Sequence, residues 1–192
     1  MENLLNEIKS CDICSNSLKH SPRPVVQASP SARLLIIGQA PGLKVHESGI
    51  PWNDASGKRL RQWLGLSKDD FYNPEKTAIM PMGFCYPGKG KSGDLPPRPE
   101  CAPLWHQQLM NMMPNIRLTL LIGQYAQQYY LPPHFLKEYP TLTQRVKQYA
   151  NSLDDTFLLP HPSPRNQIWL HKNPWFELET VPLLQKRVAQ LF

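Results

Sequence analysis

The chain has 192 residues, 41% of them hydrophobic, enough to bury a real core, which excludes a largely disordered protein. No apolar run approaches the roughly 20 residues a membrane helix requires, so neither a spanning helix nor a membrane partner is expected. Lys and Arg number 21 against 15 Asp and Glu, a basic balance that points mildly to an anionic partner, nucleic acid ahead of a membrane surface.

In chain order, Glu2 to Ser10 reads as a short helix with Leu4, Leu5 and Ile8 on one side. Arg33 to Ile37 is a continuous apolar run ending at Gly38, the pattern of a strand buried on both faces. A turn with Gly38, Pro41 and Gly42 follows, then an irregular stretch to Gly57, then a helix over Lys58 to Leu66. Thr77 to Met80 is a second strand that breaks at Pro81 and runs into Cys85. Pro103 to Met113 reads as a helix with proline in its first turn, where it is tolerated. A third strand, Leu118 to Ile122, ends at Gly123, and Gln124 to Tyr130 is helical. Leu142 to Ala150 is a helix, Thr156 to Leu159 a fourth strand, and Phe176 to Leu191 a closing helix. The 21 prolines cluster at 22–30, 81–103, 132–140 and 160–164, marking shaped loops between elements.

Apolar strands alternating with helices predict an α/β protein, a three-layer αβα sandwich around a four-stranded, mainly parallel sheet. One domain over 1–192 is expected. Ligands in such sheets bind at the carboxyl ends of strands. That rule selects Gly38–Gly42, Pro81–Cys85, Gly123–Gln124 and Pro160–Pro164 as the working rim.

The four cysteines fall as Cys11-x2-Cys14 and, far downstream, Cys85-x15-Cys101. The close pair is one claw of a metal site, and Cys85 and Cys101 are the remaining sulfurs able to complete it. Met1 to Lys19 is polar with no apolar leader, so reduced thiols and a cytoplasmic location are expected. Four thiolates suit tetrahedral zinc or an iron–sulfur cluster. Either would tie the N-terminus to a strand end about 70 residues away, worth roughly 4 kcal/mol on a chain-entropy estimate. With no open ligand position, the group reads first as a staple.

Gly88-Lys-Gly-Lys-Ser92 resembles a phosphate loop only faintly, because Cys85 stands where its first glycine belongs. The specific combination lies elsewhere: Gly38-Gln-Ala-Pro-Gly42 after the first strand, Gly49-Ile-Pro-Trp-Asn-Asp-Ala-Ser-Gly57, and His161-Pro-Ser-Pro164 after the last. With the cysteines, this resembles the uracil-DNA glycosylase superfamily, closest to its iron–sulfur-containing, family 4-like branch, over roughly Cys11 to Arg165. The resemblance implies a monomeric DNA-repair enzyme that cleaves the N-glycosidic bond of uracil or a related base in DNA. It implies a [4Fe–4S] cluster on Cys11, Cys14, Cys85 and Cys101, with structural zinc as the alternative.

By the same resemblance His161 donates to the departing base, and the turn at Gly38, Gln39 and Ala40 holds the base and a water through backbone N–H groups. Trp52 stands where the family stacks a phenylalanine on the flipped base. Ser163 and Arg165 fall in the segment that presses on DNA, Arg165 where a related branch carries an intercalating leucine. The departures are specific. Gln39 replaces a glutamate, and Ala40 stands where the uracil-specific branch has an aspartate. His46-Glu47 interrupts an acidic run. Pro81 occupies the place of the base-reading asparagine. Asp54 and Asn53 are candidates for water activation, Asn166 and Gln124 for base reading. The rival function is a metal-stapled DNA-binding module of the same fold without catalysis.

Overall fold

A computed structural model of the protein describes residues 1–149 and 155–192. Four strands, β1 (Leu34–Ile37), β2 (Thr77–Ile79), β5 (Leu118–Ile122) and β6 (Thr156–Leu159), form one sheet in the order β2-β1-β5-β6. Every pairing in it is parallel. A separate antiparallel hairpin pairs β3 (Lys89–Gly90) with β4 (Gly93–Asp94). Every residue of β1 and β2 is buried, and all of β5 and β6 except Thr119 and Thr156. Burial of successive residues means that both faces of the sheet are covered, the αβα sandwich the apolar runs predict.

The helices are α1 (Glu2–Lys9), α2 (Leu43–Ser48), α3 (Ala55–Leu64), α4 (Lys68–Tyr72), α5 (Gln107–Asn111) and α6 (Gly123–Tyr130). They continue with α7 (Pro133–Glu138), α8 (Leu142–Tyr149), α9 (Gln167–Lys172) and α10 (Val181–Ala189). π-turns over Ala102–His106 and Phe176–Thr180 lead into α5 and α10. Helix α3 packs on α10, α6 on β5 and β6, and α8 on β6. The core runs through the sheet with Leu60, Phe71, Phe157, Phe176 and Leu184 filling the space beside it.

Several expectations need correction. The stretch expected to be irregular up to Gly57 contains α2 and the start of α3. Helix α3 begins at Ala55 because the Asp54 carboxylate accepts the Gly57 N–H at 2.8 Å, an N-terminal cap. It ends at Leu64 because Gly65 takes a left-handed conformation, φ 64°. Helices α2, α4, α7 and α9 are five or six residues long, too short to register an amphipathic period. Ala150, the last residue of one expected helix, lies outside the described residues. Among the described residues no helix is long and apolar enough to cross a membrane.

Candidate active site

All four strands point the same way, so the loops after β1, β2 and β6 meet at one edge. A cavity of about 440 Å³ opens there, within the roughly 300–1,000 Å³ usual for small-molecule sites. Gly38, Gln39 and Ala40 line it after β1, Pro81 after β2, and His161, Ser163 and Arg165 after β6, with Trp52 from the α2–α3 connection. The structure therefore brings together every residue singled out for the base and the DNA. Of the four secondary candidates, Asp54 and Asn166 line the cavity; Asn53 and Gln124 do not.

The loop carrying His161 is braced from several directions. Asn166 Nδ2 donates to the His161 carbonyl at 2.7 Å, and Arg59 of α3 donates to the Ser163 carbonyl at 3.3 Å. The Ser163 N–H donates to His161 Nδ1 at 3.2 Å. A ring nitrogen that accepts a hydrogen bond carries no proton, so the neutral imidazole holds its proton on Nε2. Burial pushes the His161 pKa below the ordinary imidazole range, and the nearby charges of Asp54 and Asp94 only partly counter it. At neutral pH the ring is thus an uncharged Nε2–H donor. Gly123, the first residue after β5, turns the chain beside this ring at a backbone φ of 80°, a left-handed conformation that favours glycine.

Across the cavity, the carbonyls of Gly38 and Gln39 accept from the N–H groups of Met82 and Gly83, at 2.9 and 3.0 Å. This locks the turn after β1 to the segment after β2. Neither the Gln39 nor the Ala40 N–H is spent on another described residue, and both residues are half-buried at the cavity wall. Trp52 lies over the same turn, so close that a Cβ at Gly38 would come 2.8 Å from its ring. Its ring centroid is 5.5 Å from that of His161, tilted by 35°. Trp52 is also, among the described residues, the one non-glycine residue with positive φ, at 55°. A left-handed conformation costs about 1–2 kcal/mol for such a side chain. Gly57 makes it possible, because a Cβ there would sit 1.7 Å from the Trp52 carbonyl oxygen.

Pro81 is buried and forms an apolar wall of the cavity. The carbonyl that was its one polar offer already faces a buried partner, His106, whose Nε2 lies 3.1 Å away. His106 Nδ1 sits 2.6 Å from the Tyr130 hydroxyl. Burial drives its pKa down to about 4. It is neutral, with one nitrogen donating to Pro81 and the other accepting from Tyr130.

Sequence reasoning missed the β3–β4 hairpin, which supplies Ser92, Gly93 and Asp94 to the cavity. Arg165 Nη1 donates to the Ser92 carbonyl at 3.1 Å and packs so closely on Gly93 that a Cβ there would have to displace the guanidinium. Arg165 therefore joins the His161 loop to the hairpin. The signal was present as two glycines flanking Lys91-Ser92, a two-residue turn, inside the segment set aside as a failed phosphate loop.

Apart from this cleft, Cys11, Cys14, Cys85 and Cys101 line a second, small cavity with Pro22, Pro24, Phe84 and Trp105. Its walls are apolar, and burial raises the Cys85 thiol to about 11 and the Cys101 thiol to about 12. The Trp105 Nε1–H is buried without a hydrogen-bond partner among the described residues. Such an orphan donor costs about 1–3 kcal/mol. Among the described residues no three His, Cys, Asp or Glu side chains converge on a lone metal ion as they stand. Four soft thiol donors from three chain segments, sharing an apolar cavity with one unspent N–H, nevertheless match the chemistry of a thiolate-held cluster.

Fold and site define a parallel α/β protein with a cleft of about 440 Å³ on its carboxyl rim and a second, cysteine-lined cavity. The chain belongs to the uracil DNA glycosylase superfamily, whose profile it matches over residues 25–185, and it is family 4-like within it. It is 26% identical over 133 residues to the type-4 uracil-DNA glycosylase of Sulfurisphaera tokodaii, an alignment covering 67% of this chain. The chain spans 57% of the length of that curated relative.

Proposed function

We propose that the protein is a monomeric, single-domain DNA glycosylase that hydrolyses the bond between deoxyribose and a deaminated or damaged base. What carries the reading is a single juxtaposition: the His161 Nε2–H donor and the unspent N–H groups of Gln39 and Ala40 line one cavity. Cleavage of a glycosidic bond leaves negative charge on the departing base. Preorganised donors in a water-poor site stabilise such charge most effectively, about 3–4 kcal/mol for a single donor.

In this mechanism the base leaves the helical stack at a cost of a few kcal/mol and enters the cleft. The Trp52 ring offers it a stacking face, worth about 1–3 kcal/mol per base. Gly38 keeps the floor low, and Pro81 closes one wall without offering a hydrogen bond. His161 donates to a carbonyl oxygen of the base, and the turn N–H groups hold the ring and its developing charge. A neutral imidazole suits this task because it donates without having to give up a proton. Ser163 and Arg165 fix the rim loop against the hairpin, and the exposed Lys89 and Lys91 beside them favour a phosphate backbone.

Cys11, Cys14, Cys85 and Cys101 would hold a [4Fe–4S] cluster, which when bound supplies a rigid cross-link between α1's exit and the segments flanking Arg98. Cys85 stands four residues beyond Pro81, so holding the cluster there would stiffen the cleft wall. The substrate class is set by Pro81: with no asparagine to read a base edge, the protein accepts bases by shape and by one carbonyl within reach of His161.

The reading is tested by incubating the protein with duplex and single-stranded DNA carrying uracil, hypoxanthine or xanthine. Alkali-labile abasic sites on at least one of them are expected. Tight binding with no abasic product on any would instead favour a DNA-binding module that keeps the fold without catalysis.

A further inference from the structure

A glycosylase must place a water behind the sugar and take up its proton, and the turn after β1 offers no acid for this, since Gln39 and Ala40 stand there. Two carboxylates reach the cavity, Asp54 and Asp94. Asp54 is committed: its Oδ1 accepts the Gly57 N–H and caps α3. Asp94 is different. It ends the β3–β4 hairpin at the cavity, and among the described residues its Oδ1 meets only the Tyr86 hydroxyl at a long 3.4 Å. Its Oδ2 lies against the turn, 3.6 Å from where a Cβ of Gly42 would stand, with no partner among the described residues.

The hairpin is not a loose flap. The Leu95 N–H donates to the Gly88 carbonyl at 2.8 Å, and Arg165 holds the Ser92 carbonyl from the His161 loop. The same loop thus carries the donor for the base and anchors the strand that carries the acid. Within the glycosylase reading, we propose that Asp94 is the catalytic base of this protein, supplied by the hairpin in place of an acidic residue on the turn.

The step balances as a hydrolysis. A water held between Asp94 Oδ2 and the turn attacks the sugar C1′ and gives its proton to the carboxylate. The new C1′–O bond forms as the C1′–N bond breaks, and the electron pair departs with the base, held by His161 and the turn N–H groups. The proton on Asp94 is then released to the base or to solvent, leaving an abasic sugar and a neutral free base.

The test measures single-turnover cleavage and DNA affinity for the wild type, Asp94→Asn and Asp94→Ala, with Asp54→Ala as the competing acid. General bases contribute about 100- to 10,000-fold. Asp94→Asn is expected to slow cleavage at least about 100-fold, with DNA binding equal or tighter and the thermal midpoint unchanged, as befits an exposed hairpin residue. Added formate should restore part of the rate to Asp94→Ala by occupying the vacated carboxylate position, and should not act on Asp54→Ala. Wild-type cleavage with Asp94→Asn running at the same rate overturns this inference alone, as does formate rescue confined to Asp54→Ala. A wild type that cuts no substrate in the panel overturns it together with the glycosylase reading, so the two failures are told apart.

Discussion

Two cavities share the segment after β2, with Pro81 in the wall of one and Cys85 in the wall of the other. The rim cleft is half open and polar, built from loops that end strands and fastened by side-chain bonds to backbone carbonyls. The cysteine cavity is small and apolar, and while Cys14, Cys85 and Cys101 have hydrogen-bonding neighbours, the Trp105 indole N–H has none among the described residues. The cleft offers donors already pointed at an incoming molecule. The cysteine cavity instead gathers four thiols from three chain segments. On the proposed reading the first does the chemistry and the second holds the fold together, with the stretch from Pro81 to Cys85 joining them.

The comparison breaks most sharply at the cysteines. Replacing Cys101 by Ser should lower the urea midpoint by the equivalent of about 4 kcal/mol, the value of closing a loop of this length. A broad absorbance band near about 400 nm, expected of an iron–sulfur cluster, should vanish with it; an unchanged midpoint would leave the cavity without a structural role. His161→Ala should act on the other cavity alone. Single-turnover cleavage is expected to fall by about 100- to 1,000-fold, near 3–4 kcal/mol, with the midpoint and DNA affinity close to wild type.

Between these lies His106, which touches the shared segment from behind. Its folded-state pKa is lowered from 6.5 to about 4 by burial. The unfolded chain therefore takes up a proton first as the pH falls. Stability is full above about pH 6.5 and declines towards pH 4, by on the order of 3 kcal/mol at 1.36 kcal/mol per pH unit. Burial lowers the His161 and His46 pKa values too, so both add in the same direction. Urea titrations at pH 7 and pH 4.5 should show the loss, and His106→Gln should remove its largest part. Gly57→Ala acts on the cleft itself, because the new Cβ would meet the backbone carbonyl oxygen of Trp52 at 1.7 Å and only a backbone shift can relieve it. Relieving that overlap should cost about 3 kcal/mol or more and move the Trp52 ring, and tryptophan fluorescence quenching by bound DNA would report the shift.

The sheet and the rim were legible because their signals are local. Four apolar runs closed by glycine or proline fix the strands, and the Gly38–Gly42 and His161–Pro164 segments sit directly at strand ends. The hairpin was not legible, since Lys89 to Asp94 has no apolar alternation and is held in place by Arg165 from 73 residues away. The fate of the Pro81 carbonyl was equally hidden, because His106 reaches it across 25 residues from a π-turn. Short helices such as α2 and α9 escaped for a simpler reason: at six residues each they show fewer than two turns of pattern.

The account rests on one contact that can be seen directly. A crystal structure of the protein with abasic DNA and the free base it releases should place the base over Trp52. A base oxygen should lie about 2.7–3.2 Å from His161 Nε2, with the Gln39 or Ala40 N–H at a comparable distance on the same ring. A base bound outside the cleft, or one inside it that touches neither donor, would contradict the account.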